Sequence, residues 1–394
     1  MKFLYLFLAF FCLNLSVAQN IKTLNTGKVI QKNYNTNVPY KDIKGLMVVE
    51  VIIKGKTYNF IVDTGAISAI SQQLYDELGL KSSSELNVSD SSNLKQPMKL
   101  TTLPPVEVGD IIFKEIPAMV ANNTHFFQCL GVDGCIGSNM LRNCVVKFSY
   151  KDKTVSFTNK RKNFDTNKEN RTDLLKDKFQ SNPYLYIYLK NNDIVGSESV
   201  LFDSGMMGLY DLSLSAYDTI KKFNIFSVLH QAKGAYSIGI HGVENQEEHY
   251  MLLTPELNFA GAAFKNITTT TTSGEISRIG SQILQYGDVI IDYPHRYLYF
   301  NPYTNEVIDL TEKSWPVQPV IKEDKLVVGI VWDSLYNDTI NEGDEIIKFG
   351  EIDYSNFDPC EAMKLNLKPK TDTATITLKD KNSGEIKNVN ITKK

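Results

Sequence analysis

The chain has 394 residues, 42% apolar, 22% charged and 11% aromatic, with a formal net charge of −3. Its 42 Lys and Arg are offset by 45 Asp and Glu scattered along the chain, which argues against a basic nucleic-acid groove, and no run past the N-terminus is long and apolar enough to span a bilayer. The length suits two or three domains with their own cores, and 20 Phe with 20 Tyr favour strands over helices.

Residues 1–18, MKFLYLFLAFFCLNLSVA, place one Lys before an apolar run and end on the small residues Ser16-Val17-Ala18. The pattern predicts a signal peptide over 1–18, cut before Gln19, and so an exported chain, periplasmic or secreted. The apolar core Phe3–Leu13 is too short for a membrane anchor, and Phe10-Phe11 before Cys12 are too bulky for a lipid-attachment signal. Four cysteines then remain, Cys129, Cys135, Cys144 and Cys360, and an exported chain can oxidise them in three full pairings. Cys129 and Cys135 flank LGVDG, a segment short enough to turn and join them, whereas Cys360 stands far off and is expected as a free, buried thiol. There is no CxxC or HExxH and the five His are isolated, so no metal site and no cofactor are expected.

Further along, short apolar runs alternate with turn residues: Leu46–Ile53 before Lys54-Gly55, Val106–Val108 before Gly109-Asp110, and Tyr184–Leu189 before Asn191-Asn192. The spacing predicts an all-β fold of small antiparallel barrels or sandwiches. An internal repeat sets the organisation. Gly137–Phe157 aligns without gaps to Gly280–Phe300, sharing Gly137/Gly280, Ser138/Ser281, Leu141/Leu284, Val146/Val289, Tyr150/Tyr293 and Phe157/Phe300, and each copy reads as short helix, strand, turn, strand. Upstream by 74 and 77 residues stand Ile61-Val62-Asp63-Thr64-Gly65 and Leu201-Phe202-Asp203-Ser204-Gly205. Two matched features at matched spacing divide the chain after the leader into a lobe over 19–160, a polar linker over 161–181, a second lobe over 182–303, a linker over 304–318 and a third unit over 319–394.

A buried strand that ends in a carboxylate is costly unless the carboxylate is hydrogen-bonded or shares a proton. Gly65 and Gly205 permit tight turns with backbone N–H groups facing each carboxylate, and the Thr64 and Ser204 hydroxyls are able to lock the turns together. Brought face to face, Asp63 and Asp203 cannot both ionise easily; one keeps a proton, and a water between them is activated against a peptide carbonyl.

These residues resemble the aspartic proteases of the pepsin and retropepsin kind. Ile136-Gly137 and Ile279-Gly280 look like the apolar–glycine strand behind each catalytic loop of that family, so the resemblance covers both lobes. It implies catalysis by Asp63 and Asp203, support from Thr64, Gly65, Ser204 and Gly205, a polypeptide substrate and a monomer. A β-hairpin flap is implied too, within Lys81–Thr102 or Ala232–Met251; His241 reads as a loop histidine more than as a substrate contact. Ala66 and Met206 follow the two turns where pepsin-like relatives tend to place hydroxyls, which should move the upper pH limit of activity towards neutrality. Ser213 corresponds to Ser71, with about two extra residues before it. A degenerate second lobe that keeps Asp203 only as a structural turn is the competing reading.

In the third unit, Lys325–Val331 and Ile346–Phe349 read as strands around the turn Glu342-Gly343-Asp344, followed by a helix from Asp358 to about Leu367 and a strand Ala374–Leu378. The Gly-Asp-x-Ile run resembles a PDZ domain, which implies that an extended peptide adds beside Val328, Gly329 and Ile330. A docking module that binds no free peptide reads equally well. Both Asp turns precede this unit, so cleavage of short peptides is expected to survive its removal. Two functions follow: an exported aspartic endopeptidase, or a non-catalytic peptide-binding protein on the same scaffold with PDZ-mediated docking.

Overall fold

The computed structural model describes residues 24–394 apart from 123, 178, 236, 237 and 365. The expected leader over 1–18 lies outside the described residues, and no described helix is long and apolar enough to cross a membrane.

Strands dominate, and a β-barrel is built as the alternation requires. In Tyr184–Asn191, Leu185, Ile187 and Leu189 point inward while Tyr186 and Tyr188 face solvent. Leu46–Ile53 and Lys56–Asp63 form a hairpin around Lys54 and Gly55, both at positive φ (53° and 78°), the conformation that a two-residue turn needs to match strand twist. The strands that end in the two aspartates lose the alternation: Val200, Leu201, Phe202 and Asp203 are all buried, as are Phe60, Ile61 and Val62. Each has a parallel neighbour, Gly134–Gly137 beside Lys56–Asp63 and Arg278–Gly280 beside Ile194–Asp203, with Asp63 opposite Gly137 and Asp203 opposite Gly280.

The repeated segments also take the same form. Ser138–Leu141 and Ser281–Gln285 are short helices, each followed by a hairpin, Val145–Ser149 with Thr154–Thr158 and Gly287–Asp292 with Tyr297–Pro302. The first strands of the two hairpins pair antiparallel, Val145 opposite Asp292 and Phe148 opposite Val289, so one continuous ladder joins the halves of the chain. A row of rings, Phe148–Phe202–Phe259–Phe300, runs through the shared core with centroids 6.0, 6.5 and 5.5 Å apart.

Both expected linkers are more structured than their polarity suggests. Arg171–Asp173 adds an edge strand to Tyr297–Pro302, Leu174 is buried, and Ile308–Asp309 pairs with Ala262–Thr272. Trp315 and Val317 fall within the expected second linker yet are buried in the core of the C-terminal unit, where Trp315 packs edge-on against Phe349. That unit has its own sheet. Lys325–Val331, Glu345–Phe349 and Thr373–Lys379 lie where expected, and the helix is the short Pro359–Lys364, with Asp358 accepting from the Cys360 N–H.

The cysteine expectation is corrected. Cys129, in the helix Thr124–Leu130, is disulfide-bonded to Cys360 in the helix Pro359–Lys364, while Cys135 and Cys144 are free and buried. Cys135 is committed to the strand beside Asp63, so it cannot swing to Cys129 even though five residues separate them. Burial holds the Cys135 thiol well above the usual range and pushes Cys144 up to about 12. Peptide mapping without reductant should therefore recover Cys129 linked to Cys360, with Cys135 and Cys144 alkylated only after denaturation. Replacing Cys129 and Cys360 by Ser should lower unfolding free energy by about 2–4 kcal/mol, read from urea titrations.

Candidate active site

Asp63 and Asp203 meet across the junction of the two halves. The turns that carry them are bolted by four reciprocal hydrogen bonds. The Thr64 hydroxyl donates to the Phe202 carbonyl (2.6 Å) and accepts from the Ser204 N–H (3.0 Å). The Ser204 hydroxyl donates to the Val62 carbonyl (2.8 Å) and accepts from the Thr64 N–H (3.0 Å). Both hydroxyl residues are fully buried, so these bonds have no competition from water.

The glycines bring the carboxyl groups together. Gly65 N–H donates to Asp63 Oδ1 (2.8 Å) and Gly205 N–H to Asp203 Oδ1 (3.0 Å). A Cβ on Gly65 would sit 2.6 Å from the Asp203 carboxyl carbon, and one on Gly205 would sit 2.5 Å from that of Asp63. Each carboxyl thus occupies the space that the opposite glycine leaves empty. Ser138 and Ser281 hold the residue after each turn, with hydroxyls donating to the Ala66 carbonyl (3.1 Å) and the Met206 carbonyl (2.9 Å). Ser71 and Ser213 cap the helices that follow, each hydroxyl accepting a backbone N–H at 3.1 Å.

Burial pushes the Asp63 carboxyl well above the usual range, and the neighbouring Asp203 raises it further. The Gly65 and Ala66 N–H groups pull the other way. The Ala66 backbone thus supplies a donor that its side chain lacks.

The dyad opens into a cleft of about 530 Å³. One wall is apolar, with Ile67, Met119 and Phe127 among its residues. The hairpin Ser84–Ser89 with Lys95–Thr102 lines the cleft through Val88, Asp90 and Met98, so the first flap candidate reaches the site. From the second candidate Ile240 reaches the cleft, while His241 clips the two segments together: its N–H donates to Asp90 Oδ2 (2.9 Å), and its Nε2 lies 3.1 Å from the Val88 carbonyl.

The C-terminal unit closes the far side with Gln318, Pro319, Val320, Ile321, Met363 and Leu367, pinned by the Cys129–Cys360 bond. These residues line the cleft itself, which bears against the expectation that short peptides need nothing from this unit. The peptide edge expected at Val328, Gly329 and Ile330 is corrected. Val328 spends its N–H on Asp344 and its carbonyl on Gly343, Gly329 accepts from the Ala235 N–H (3.2 Å), and Ile330 is buried against Met251 and Trp332. The edge that a peptide would need is already paired.

Sequence reasoning missed three residues here, Gln180, Arg278 and Asp211. Gln180 reaches from the supposed linker to donate to the Gly65 carbonyl (3.2 Å). Arg278 donates from Nη1 towards Asp203 Oδ2 (3.4 Å) and from Nη2 to Asp211 Oδ2 (2.7 Å). The signal for Arg278 was its place directly before Ile279-Gly280, one residue upstream of the aligned apolar–glycine pair.

The sequence model of the family described as aspartyl protease matches residues 49–140, which include the Asp63 turn, the hairpin over 84–102 and Ile136-Gly137. No curated protein matches the chain. The family match supports a peptidase acting on polypeptide.

Thr64→Val keeps shape but removes two bonds of the lock and leaves the Ser204 N–H and the Phe202 carbonyl unpaired. It should cost about 2–6 kcal/mol of stability in chemical denaturation, at about 1–3 kcal/mol per unsatisfied buried group. Gly205→Ala should abolish activity in any peptidase assay, because the added methyl overlaps the Asp63 carboxyl.

Proposed function

We propose that the chain is an exported aspartic endopeptidase, periplasmic or secreted and monomeric, built from two duplicated β lobes and a C-terminal PDZ-like unit. The observation that carries this reading is the reciprocal lock of Thr64 and Ser204, which seats each carboxyl over the opposite glycine. Two buried carboxyl groups this close ionise in sequence, so over a range of pH they hold one proton between them.

That state suits hydrolysis of an amide. A water between the carboxyl groups loses a proton to the charged one as its oxygen bonds to the peptide carbonyl carbon, and the protonated one gives its proton to the carbonyl oxygen. In the collapse of the tetrahedral diol the C–N bond breaks, the departing nitrogen takes up a proton from the protonated carboxyl, and a diol hydroxyl gives its proton to the charged one as the new C=O forms. The hairpin over 84–102 and the C-terminal wall exclude bulk water and hold an extended chain, with the apolar wall receiving its bulky side chains. In this reading the PDZ-like unit shapes the cleft.

Asp63→Asn and Asp203→Asn should each abolish cleavage of an unfolded protein by the mature chain while leaving circular dichroism and melting unchanged. Near-normal activity in Asp203→Asn would overturn the intramolecular pair. The charge pairing of Arg278 with Asp203 favours a second reading, in which Asp203 is structural and the cleft binds peptides without cutting them. Peptide binding by the wild type with no products after prolonged incubation would select it.

The pH dependence follows from the raised Asp63 carboxyl. Activity requires one proton on the dyad, and a folded-state value above the usual carboxylate range of about 4 delays loss of that proton. The alkaline limb of kcat/KM should therefore lie well above this range, towards neutrality; activity confined to strongly acidic solution would contradict it. Deleting residues 315–394 in a Cys129→Ser background removes one wall and should raise KM for short peptides about tenfold, a loss of about 1.4 kcal/mol, with kcat less affected.

A further inference from the structure

The two halves place different residues at one register position beside the dyad. In the strand Gly134–Gly137, Cys135 stands opposite Ile61 on one side and Ala69 on the other. In the strand Arg278–Gly280, Arg278 stands opposite Leu201 and Asp211. Ile61 and Leu201 precede their aspartates by two residues, and Ala69 and Asp211 precede Ser71 and Ser213 by two, so the positions correspond one to one. An uncharged pair in the first half is replaced by an ion pair in the second. Both Cys135 and Arg278 line the cleft that holds the carboxyl groups, and the Arg278 side chain is only 14% exposed.

We infer that Arg278, held by Asp211, makes the two aspartates inequivalent, keeping Asp203 as the standing carboxylate and leaving the shared proton on Asp63. The assignment rests on the peptidase reading and gives each carboxyl one role in it: Asp203 takes the proton of the attacking water, and Asp63 protonates the carbonyl oxygen. Arg278 is a positioning residue, since it reaches the Asp203 carboxyl and not the scissile bond.

The surroundings support the polarity. Besides Asp63 and Arg278, the ionisable groups bearing on Asp203 and its partner Asp211 are Tyr184, Glu244 and Cys135; those bearing on Asp63 are Asp203, Cys135 and Tyr293. Burial holds Cys135, Tyr184 and Tyr293 in their neutral forms. Among the described residues, Arg278 is the one cation paired with either carboxyl. Burial alone would disfavour its charge, but Asp211 and then Asp203 raise its affinity for the proton. A fixed cation beside one of two coupled carboxyl groups favours the ionised form of that one.

The test is carboxyl titration by NMR of the full mature chain carrying 13C-labelled aspartate, which needs no catalytic turnover. In Asp63→Asn, the remaining Asp203 should titrate at least one pH unit below the Asp63 that remains in Asp203→Asn. Equal midpoints, or the reverse order, would overturn the assignment. Adding Arg278→Met to Asp63→Asn should raise the Asp203 midpoint by about one to three units, with Arg278→Lys raising it less; no shift would also overturn it. Should Arg278→Met unfold, the first comparison decides alone. In otherwise wild-type enzyme, Arg278→Lys should move the acid limb of kcat/KM upwards; an unmoved limb would also overturn the assignment. A chain that shows this titration order but cuts nothing refutes the peptidase reading and leaves the proton assignment standing. A chain that cuts peptides but shows equal midpoints refutes the assignment alone.

Discussion

The four hydrogen bonds that Thr64 and Ser204 make across the two turns hold together what electrostatics would separate. Two carboxyl groups in a poorly solvated space repel once both are charged, and neither has a covalent reason to stay near the other. The lock sets that repulsion against backbone groups that cannot move independently, because Val62 and Phe202 lie where the ends of their strands are buried on both faces. Each bond contributes modestly while intact, yet breaking one strands a buried polar group at a cost of about 1–3 kcal/mol. The lock joins residues about 140 positions apart, so the site exists only when both halves have folded and the ladder between Val145–Ser149 and Gly287–Asp292 has formed.

The two halves use one framework for different ends. The first surrounds its aspartate with an apolar wall that continues through Ala69 and Cys135 into a cluster with Met119 and Phe127. The second surrounds its aspartate with Arg278 and Asp211. The cleft therefore has an oily side and a charged side, which gives a bound chain a direction. The C-terminal unit adds a third wall, and its docking consumes the strand edge that a peptide would otherwise join.

The site was legible where local chemistry and repetition coincide. The Asp-Thr-Gly and Asp-Ser-Gly turns, the strand behind each and the paired serines Ser138 and Ser281 are short-range patterns that the chain states twice. What remained hidden depends on partners distant in sequence. Cys360 lies 231 residues from Cys129, and nothing local marks the pair. Gln180 and Trp315 sit in polar stretches whose composition suggests solvent, although single residues in them are drawn into the site and into a core. The Lys325–Val331 strand reads correctly as a strand, but whether its edge is open depends on Ala235, which only tertiary structure brings there.

The bond between Cys129 and Cys360 makes most of the chain a covalent ring. The connector between the halves and the segment leading to the C-terminal unit both fall inside that ring, as do exposed turns such as Asn192-Asp193. A single backbone cut at any of them leaves one molecule, with the Asp63 and Asp203 segments still tethered and free to remain locked. A nick there is a change of connectivity without the loss of a fragment.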